Sequence, residues 1–242
     1  MKKSQLIYQY IREQGAVSKQ DIVIGLGLSL PTITQNLNNL AELGLIDTSK
    51  KISNTGGRNA TAYSYIEKAR YAVGLYLNRH HINCVAVDLS GNVISLIRVR
   101  ENFDLNDDNY LRKIGETVEE AKKDTGLPDD RFLGVGIAVQ GLISDDGERV
   151  TYGLTLNFTG VTRADIAKYI PYHNRLFHDS AAAGYAEVWD RNDLDDAFYL
   201  SLSNSVGGAV IVANKIFEGE RRKSGEIGHM TIIPKAGDRC YC

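Results

Sequence analysis

Cysteine is scarce in this chain of 242 residues, with three in all. Cys84 lies inside an apolar strand-like run, while Cys240 and Cys242 stand together at the end. That distribution excludes a disulfide framework and fits a reducing compartment. Long apolar runs are missing too. The opening MKKSQLIYQYIREQ has polar residues in nearly every turn, so it is no signal-peptide core, and nothing later approaches the length of a membrane span. A cytoplasmic protein with no membrane partner is expected. Net charge is nearly absent, at −2, yet residues 1–66 sum to +3 and the remainder to −5. A mildly basic head on an acidic body points to a polyanion partner for the head. With 43% hydrophobic and 24% charged residues the composition is that of a globular protein, and the length sits near the upper limit for a single core, so that two unequal domains are at least as expected as one.

In the head, Leu6, Ile7, Tyr10 and Ile11 recur at helical spacing and Gly15 closes the pattern. Ser18-Lys19-Gln20-Asp21 is a second start signal, for a helix from about Asp21 to Leu26 that ends at Gly27. Ser29 then stands as N-cap of a third helix, with Pro31 tolerated in its first turn. Ile33, Leu37 and Leu40 form its apolar stripe, and its outward face carries Pro31, Thr32, Gln35, Asn38 and Asn39. A solvated helix face usually carries charge, and this one has none. Amides and hydroxyls can instead read base edges in a groove, while the N–H groups near Ser29 meet a phosphate. After Gly44, two strand-like runs flank the basic turn SNTGGRN, which completes a winged helix-turn-helix over residues 1–66. Arg58 falls near the wing tip, where a guanidinium can enter the minor groove. A three-helix interaction domain with a merely solvated face is the plainer alternative.

From about residue 70 the texture changes to strands, YAVGLYL, HINCVAVDL and NVISLIRVR, with Ser90-Gly91-Asn92 as a tight turn. A helix from about Asn109 to Thr125 stops at Gly126-Leu127-Pro128 and leads into the buried strand FLGVGIAV. A short strand NRLFH, a helix from about Ser180 to Arg191, and strands AFYLSLS and GAVIVA follow, making an α/β domain over residues 70–242. At the end, His229, Cys240 and Cys242 put three ligand-type side chains within fourteen residues. These are donors suited to zinc, which closes structural sites with four ligands.

The segments GGRNA, VGIAVQG, LNFTGV, HDSAAAGYAE and above all SGEIGHM followed by CYC resemble the ROK family of bacterial repressors and sugar kinases. The resemblance runs from the winged helix to the last residue. It implies an actin-like ATPase (ribonuclease H-like) fold for the body, with the second lobe incomplete, and hence a chain truncated at its C-terminus. It also implies sugar contacts from Asn157, Asp179, Glu226 and His229, and a zinc site of His229, Cys240 and Cys242 that lacks the family's further cysteine. His178 replaces an asparagine expected before Asp179, and Gln140 stands where the family has proline.

In the family's kinases a first phosphate loop carries an aspartate and paired glycines. The corresponding stretch here is Tyr76-Leu77-Asn78-Arg79-His80. A phenol cannot replace the carboxylate, and side chains at the glycine positions obstruct close approach of backbone to phosphate. The second loop reads Ser203-Asn204-Ser205-Val206-Gly207-Gly208, half of the family pattern. Phosphoryl transfer rests on positioning and charge around the nucleotide, so neither ATP binding nor kinase activity is expected. The resemblance implies a sugar-responsive repressor of carbohydrate genes, acting on operator DNA as a homodimer or homotetramer. An active sugar kinase with a DNA-binding head, or a DNA-binding remnant without sugar sensing, are the alternatives.

Overall fold

Where apolar spacing and stop signals coincide, the helices form as the sequence predicts. The computed structural model describes residues 2–52, 60–189, 195–203, 205–235 and 237, in two units, Met1–Arg70 and Tyr71–Cys242. In the first unit α1 (Lys3–Gln14) buries Ile7 and Ile11 and stops at Gly15, whose φ of 79° suits glycine. The second helix, α2 (Lys19–Leu26), starts two residues before the expected Asp21. Ser18 and Asp21 explain the shift by capping each other's backbone: Asp21 N donates to Ser18 Oγ at 3.2 Å and Ser18 N to Asp21 Oδ2 at 2.8 Å. Helix α3 (Leu30–Glu42) turns Ile33, Leu37 and Leu40 inward. These join Ile7, Ile11, Ile22 and Ile46 in one core.

The two strand-like runs expected next are each broken into two short pieces. Strand β1 (Ile46–Asp47) pairs antiparallel with β4 (Ser64–Tyr65), and β2 (Lys51–Ile52) with β3 (Ala60–Thr61). The break has two local causes. Asp47 folds its carboxylate back onto Ser49, accepting from its N and its Oγ at 2.9 Å each. Opposite it, Tyr63 pairs with Val17 through two backbone hydrogen bonds of 2.8 and 3.0 Å. The segment between β2 and β3, with Arg58, lies outside the described residues.

In the second unit β5 (Tyr71–Leu77), β6 (His81–Asp88) and β7 (Val93–Arg100) form an antiparallel meander. Buried and half-buried residues alternate along β5 and β6, as a sheet covered on one face requires. Asp88 holds the β6–β7 turn, accepting from Ser90 N and Asn92 N at 2.9 and 3.0 Å. The covering element is α4 (Asp108–Asp124), whose Tyr110, Leu111, Ile114, Val118 and Ala121 pack with Val73, Leu75, Ile82 and Cys84. Cys84 is fully buried, and burial pushes its thiol up to about 12.

Strand β8 (Phe132–Val139) runs parallel to β5, giving the order β11-β8-β5-β6-β7 once β11 (Asn174–His178) is added. Between them lie the small ladder of β9 (Leu142–Ile143) with β10 (Val150–Tyr152) and the one-turn α5 (Arg163–Ile166). Helix α6 (Asp179–Val188) follows β11 directly. It covers a three-stranded antiparallel sheet of β12 (Ala197–Leu202), β13 (Val206–Val212) and β14 (Lys215–Ile216). Gly184 permits the close approach, since a Cβ there would come within 2.9 Å of the Ala209 Cβ. The helix starts at Asp179, not Ser180, and residues 190–194 lie outside the described set. Among the described residues no helix is long and apolar enough to cross a membrane.

Candidate functional site

Three parallel strands, β5, β8 and β11, bring their C-terminal ends to one edge of the sheet. Tyr76 pairs with Ala138, and Ala138 with Phe177. Gln140 and Asp179 follow those last partners by two residues, just past the ends of β8 and β11, and both line one cavity at this edge. The C-terminal edge of parallel strands is where α/β folds generally receive ligands.

A second segment meets this edge from β13. In SGEIGH, the 3-10 turn Ile227–His229 lies against the start of that strand. Its glycines are required by contact. A Cβ at Gly225 would collide with the Gly208 carbonyl, and one at Gly228 with the Val206 carbonyl. Gly207 is closed in the same way, since its Cβ would come 2.5 Å from Ser180 Oγ. The glycines left from the expected second phosphate loop thus serve the packing of SGEIGH and α6. The result is that Glu226 and His229 face Asp179.

A cavity of about 100 Å³ is lined by Gln140, Tyr152, His178, Asp179, Glu226 and His229, among others. His178 Nε2 lies 3.6 Å from Asp179 Oδ1 and 3.8 Å from Glu226 Oε1, and His229 Nε2 lies 3.4 Å from Glu226 Oε2. Two imidazoles and two carboxylates therefore alternate around one space, a set of acceptors and donors that fits vicinal hydroxyls. Asp179 is the first helical residue and His178 the N-cap; Asp179 Oδ1 accepts from Ser180 N at 2.7 Å, which leaves its other oxygen for the cavity. A larger cavity of about 630 Å³ shares Leu142, Tyr152, Glu226 and His229 with the first and adds Arg221 and Lys223. Asn157 lines neither cavity; it is exposed, with a left-handed backbone at φ 55°.

The turn after β5 is closed on itself. Asn78 Oδ1 accepts from His80 N at 3.0 Å and His81 N at 2.9 Å, so two N–H groups that could meet an anion are already used. Arg79 reaches the carbonyl of Thr155 at 2.7 Å, tying the turn to a residue of the cavity wall. Gln140 Nε2 donates to Tyr76 Oη at 2.9 Å. Burial raises the Tyr76 phenol above its ordinary value, opposed by the bond from Gln140 and assisted by the charge of Asp179. The Tyr76–Gln140 bond and the Arg79 strap are features that the sequence reading missed. The signal was two departures from one family pattern, at positions 64 apart.

In the first unit, Pro31, Gln35, Asn38 and Asn39 are exposed on α3 and Thr32 is half-buried. Ser29 occupies the N-cap but makes no capping bond; its Oγ lies 2.9 Å from Thr32 Oγ1. Arg58, Cys240 and Cys242 fall outside the described residues. Among the described residues no group of three or more His, Cys, Asp and Glu side chains is placed to hold a metal.

The sequence profile of the ROK family matches residues 72–242. The chain is 25% identical over 252 residues to the xylose repressor of Bacillus subtilis strain 168, covering 98% of this chain and 62% of that protein. It is 23% identical over 261 residues to the DNA-binding transcriptional dual regulator NagC of Escherichia coli K12, covering 99% of this chain and 59% of NagC. It thus spans less than two thirds of the length of these relatives. Among solved structures, a ROK family transcriptional regulator homologous to the Escherichia coli MLC protein matches with a TM-score of 0.78 at 21% identity, over 99% of this chain and 61% of its own. The ROK hexokinase of Thermus thermophilus matches with a TM-score of 0.58 at 24% identity, over 71% of this chain and 56% of its own. The mixed α/β fold is thus the one that ROK regulators and sugar kinases share.

Proposed function

This chain belongs to the ROK family, and from that premise we propose that it is a sugar-responsive transcriptional regulator, a repressor of carbohydrate genes, and not a kinase. One observation carries the choice. The carboxylates of Asp179 and Glu226 converge on one cavity, while the turn where a kinase would hold phosphate spends its N–H groups on Asn78. The sugar side is equipped and the phosphate side is not. Repressors among the relatives support the same reading.

Residues 1–66 act as a winged helix-turn-helix. Helix α3 enters the major groove, where Thr32, Gln35, Asn38 and Asn39 meet base edges. Ser29 and Pro31, at its start, lie against a phosphate, and Arg58 in the wing reaches the minor groove. In the body, Asp179, Glu226 and His229 receive sugar hydroxyls; Asn157, the fourth contact that the family pattern implies, lies outside both cavities. Asp179 would be the general base of a kinase and here serves as a hydroxyl acceptor. Sugar binding shifts the arrangement of the body, and two bodies in a homodimer or homotetramer set the spacing of their DNA-binding heads.

The donor set of His229, Cys240 and Cys242 fits zinc, one imidazole and two thiolates being ligands it favours. The metal would fix the segment after Glu226 and supply no chemistry beyond that restraint.

The test is operator binding by the 242-residue chain with and without a panel of hexoses, pentoses and N-acetylated sugars. A specific operator complex that responds to one sugar is expected. In that assay Gln35→Ala should relax base preference at one position by roughly 1–3 kcal/mol, while Arg58→Ala weakens binding chiefly at A·T-rich flanks. Equal loss on all sequences for both variants would overturn the assignment of base reading to α3. ATP-dependent phosphorylation of any hexose would overturn the regulator reading in favour of a kinase.

A further inference from the structure

Gln140 and Tyr76 stand out as two substitutions that meet each other. Tyr76 occupies the place of a phosphate-loop carboxylate and Gln140 the place of a proline, and their side chains share a hydrogen bond of 2.9 Å. Gln140 lines the small cavity together with Asp179, and Tyr76 is not among the lining residues. One N–H of the Gln140 amide is committed to the phenol oxygen, and its carbonyl oxygen Oε1 remains to accept from a ligand hydroxyl. The wall at this end then offers acceptors, the Gln140 amide oxygen and the Asp179 carboxylate, with Glu226 across the space.

Among the described residues no lysine or arginine lines this cavity, and its two imidazoles lie beside the carboxylates of Asp179 and Glu226. The Arg79 guanidinium is bonded to the Thr155 carbonyl at 2.7 Å, and the N–H groups of His80 and His81 are bonded to Asn78. Arg221 and Lys223 line the larger neighbouring cavity, beside Glu226 and His229, and not the wall formed by Gln140 and Asp179. Acceptors welcome hydroxyl protons; a phosphate dianion brings none and is repelled by two carboxylates.

We propose that Gln140, positioned by Tyr76, is a ligand-contacting residue that makes this cavity specific for an uncharged polyhydroxy compound and closes it to phosphate esters. The inference rests on reading the cavity as the sugar site. It adds to that reading a specificity residue, a positioning residue and the charge class of the ligand.

Calorimetric titration of the full chain tests it, with each neutral hexose, pentose and N-acetylhexosamine measured beside its phosphate ester. A neutral sugar should bind, and its ester should bind at least tenfold more weakly. Gln140→Leu removes the acceptor and should weaken the neutral sugar by roughly threefold to tenfold, the span of one net hydrogen bond. Gln140→Glu keeps an acceptor that Tyr76 can now donate to, and should retain most of the affinity for the neutral sugar. Tyr76→Phe leaves Gln140 unheld and should lower affinity while narrowing the preference for the neutral sugar over its ester, which a merely structural loss would not do. Melting temperatures of the three variants identify any that fail to fold, and the remaining ones decide. An ester that binds more tightly than its parent sugar, or Gln140→Leu binding the parent as the original chain does, overturns the inference and leaves the sugar-sensing reading standing. Absence of binding by both classes overturns the sugar reading, and the inference with it.

Discussion

At Asp108, the first residue of α4, one carboxylate meets Lys168 Nζ at 2.6 Å, Tyr169 Oη at 2.8 Å and Arg112 Nε at 3.0 Å. The hydrogen bonds from Lys168 and Tyr169 hold its carboxyl down to about 2. An unfolded aspartate titrates near about 3.9, so the folded value is the depressed one. The stabilisation is then present above the unfolded value and lost as pH falls through about 2. Asp108→Asn should therefore melt below the original chain at neutral pH, with the gap closing as pH approaches 2. Thermal unfolding followed from pH 7 down to the acid limit checks this, and a gap independent of pH would contradict it. Partial exposure of the carboxylate, 45% on the side chain, keeps the effect modest.

Among the elements, the turn Ile227–His229 depends on backbone pressed against β13. Gly228→Ala would place a methyl group against the Val206 carbonyl, an overpacking worth roughly 1–3 kcal/mol. Because Glu226 and His229 ride on that segment, the variant should lose sugar affinity by more than it loses melting temperature; unchanged titrations would refute the link. Helices α1 to α4 were legible in the sequence because apolar spacing, Gly15, Gly27 and Gly126 all act within one element. The broken strands around β1 to β4 were not, since the break depends on Val17 pairing with Tyr63, 46 positions away. The candidate site divides in the same way. Asp179, Glu226 and His229 were found from their motifs, and the structure brings them to one cavity. Asn157 was named from its motif as well, but its left-handed, exposed position does not reach that cavity. Tyr76 and Gln140 each attracted notice alone, and only the parallel register of β5 and β8 makes them neighbours.

For the whole molecule, the buried cluster of the first unit and that of the five-stranded sheet have no residue in common. Leu37, 1% exposed, belongs to the first. Leu37→Ala should destabilise that unit by roughly 2–5 kcal/mol and abolish operator binding while leaving sugar titrations unchanged. Joint loss of both activities would show that the two units do not fold as separate cores. Cys84 has a consequence of another kind. Its thiol is enclosed in the core and held in the protonated form up to about 12, so it is silent toward reagents that need a thiolate. In the native chain Cys84 therefore stays unlabelled, so thiol alkylation with and without added zinc reads the two cysteines proposed as metal ligands without altering a single residue.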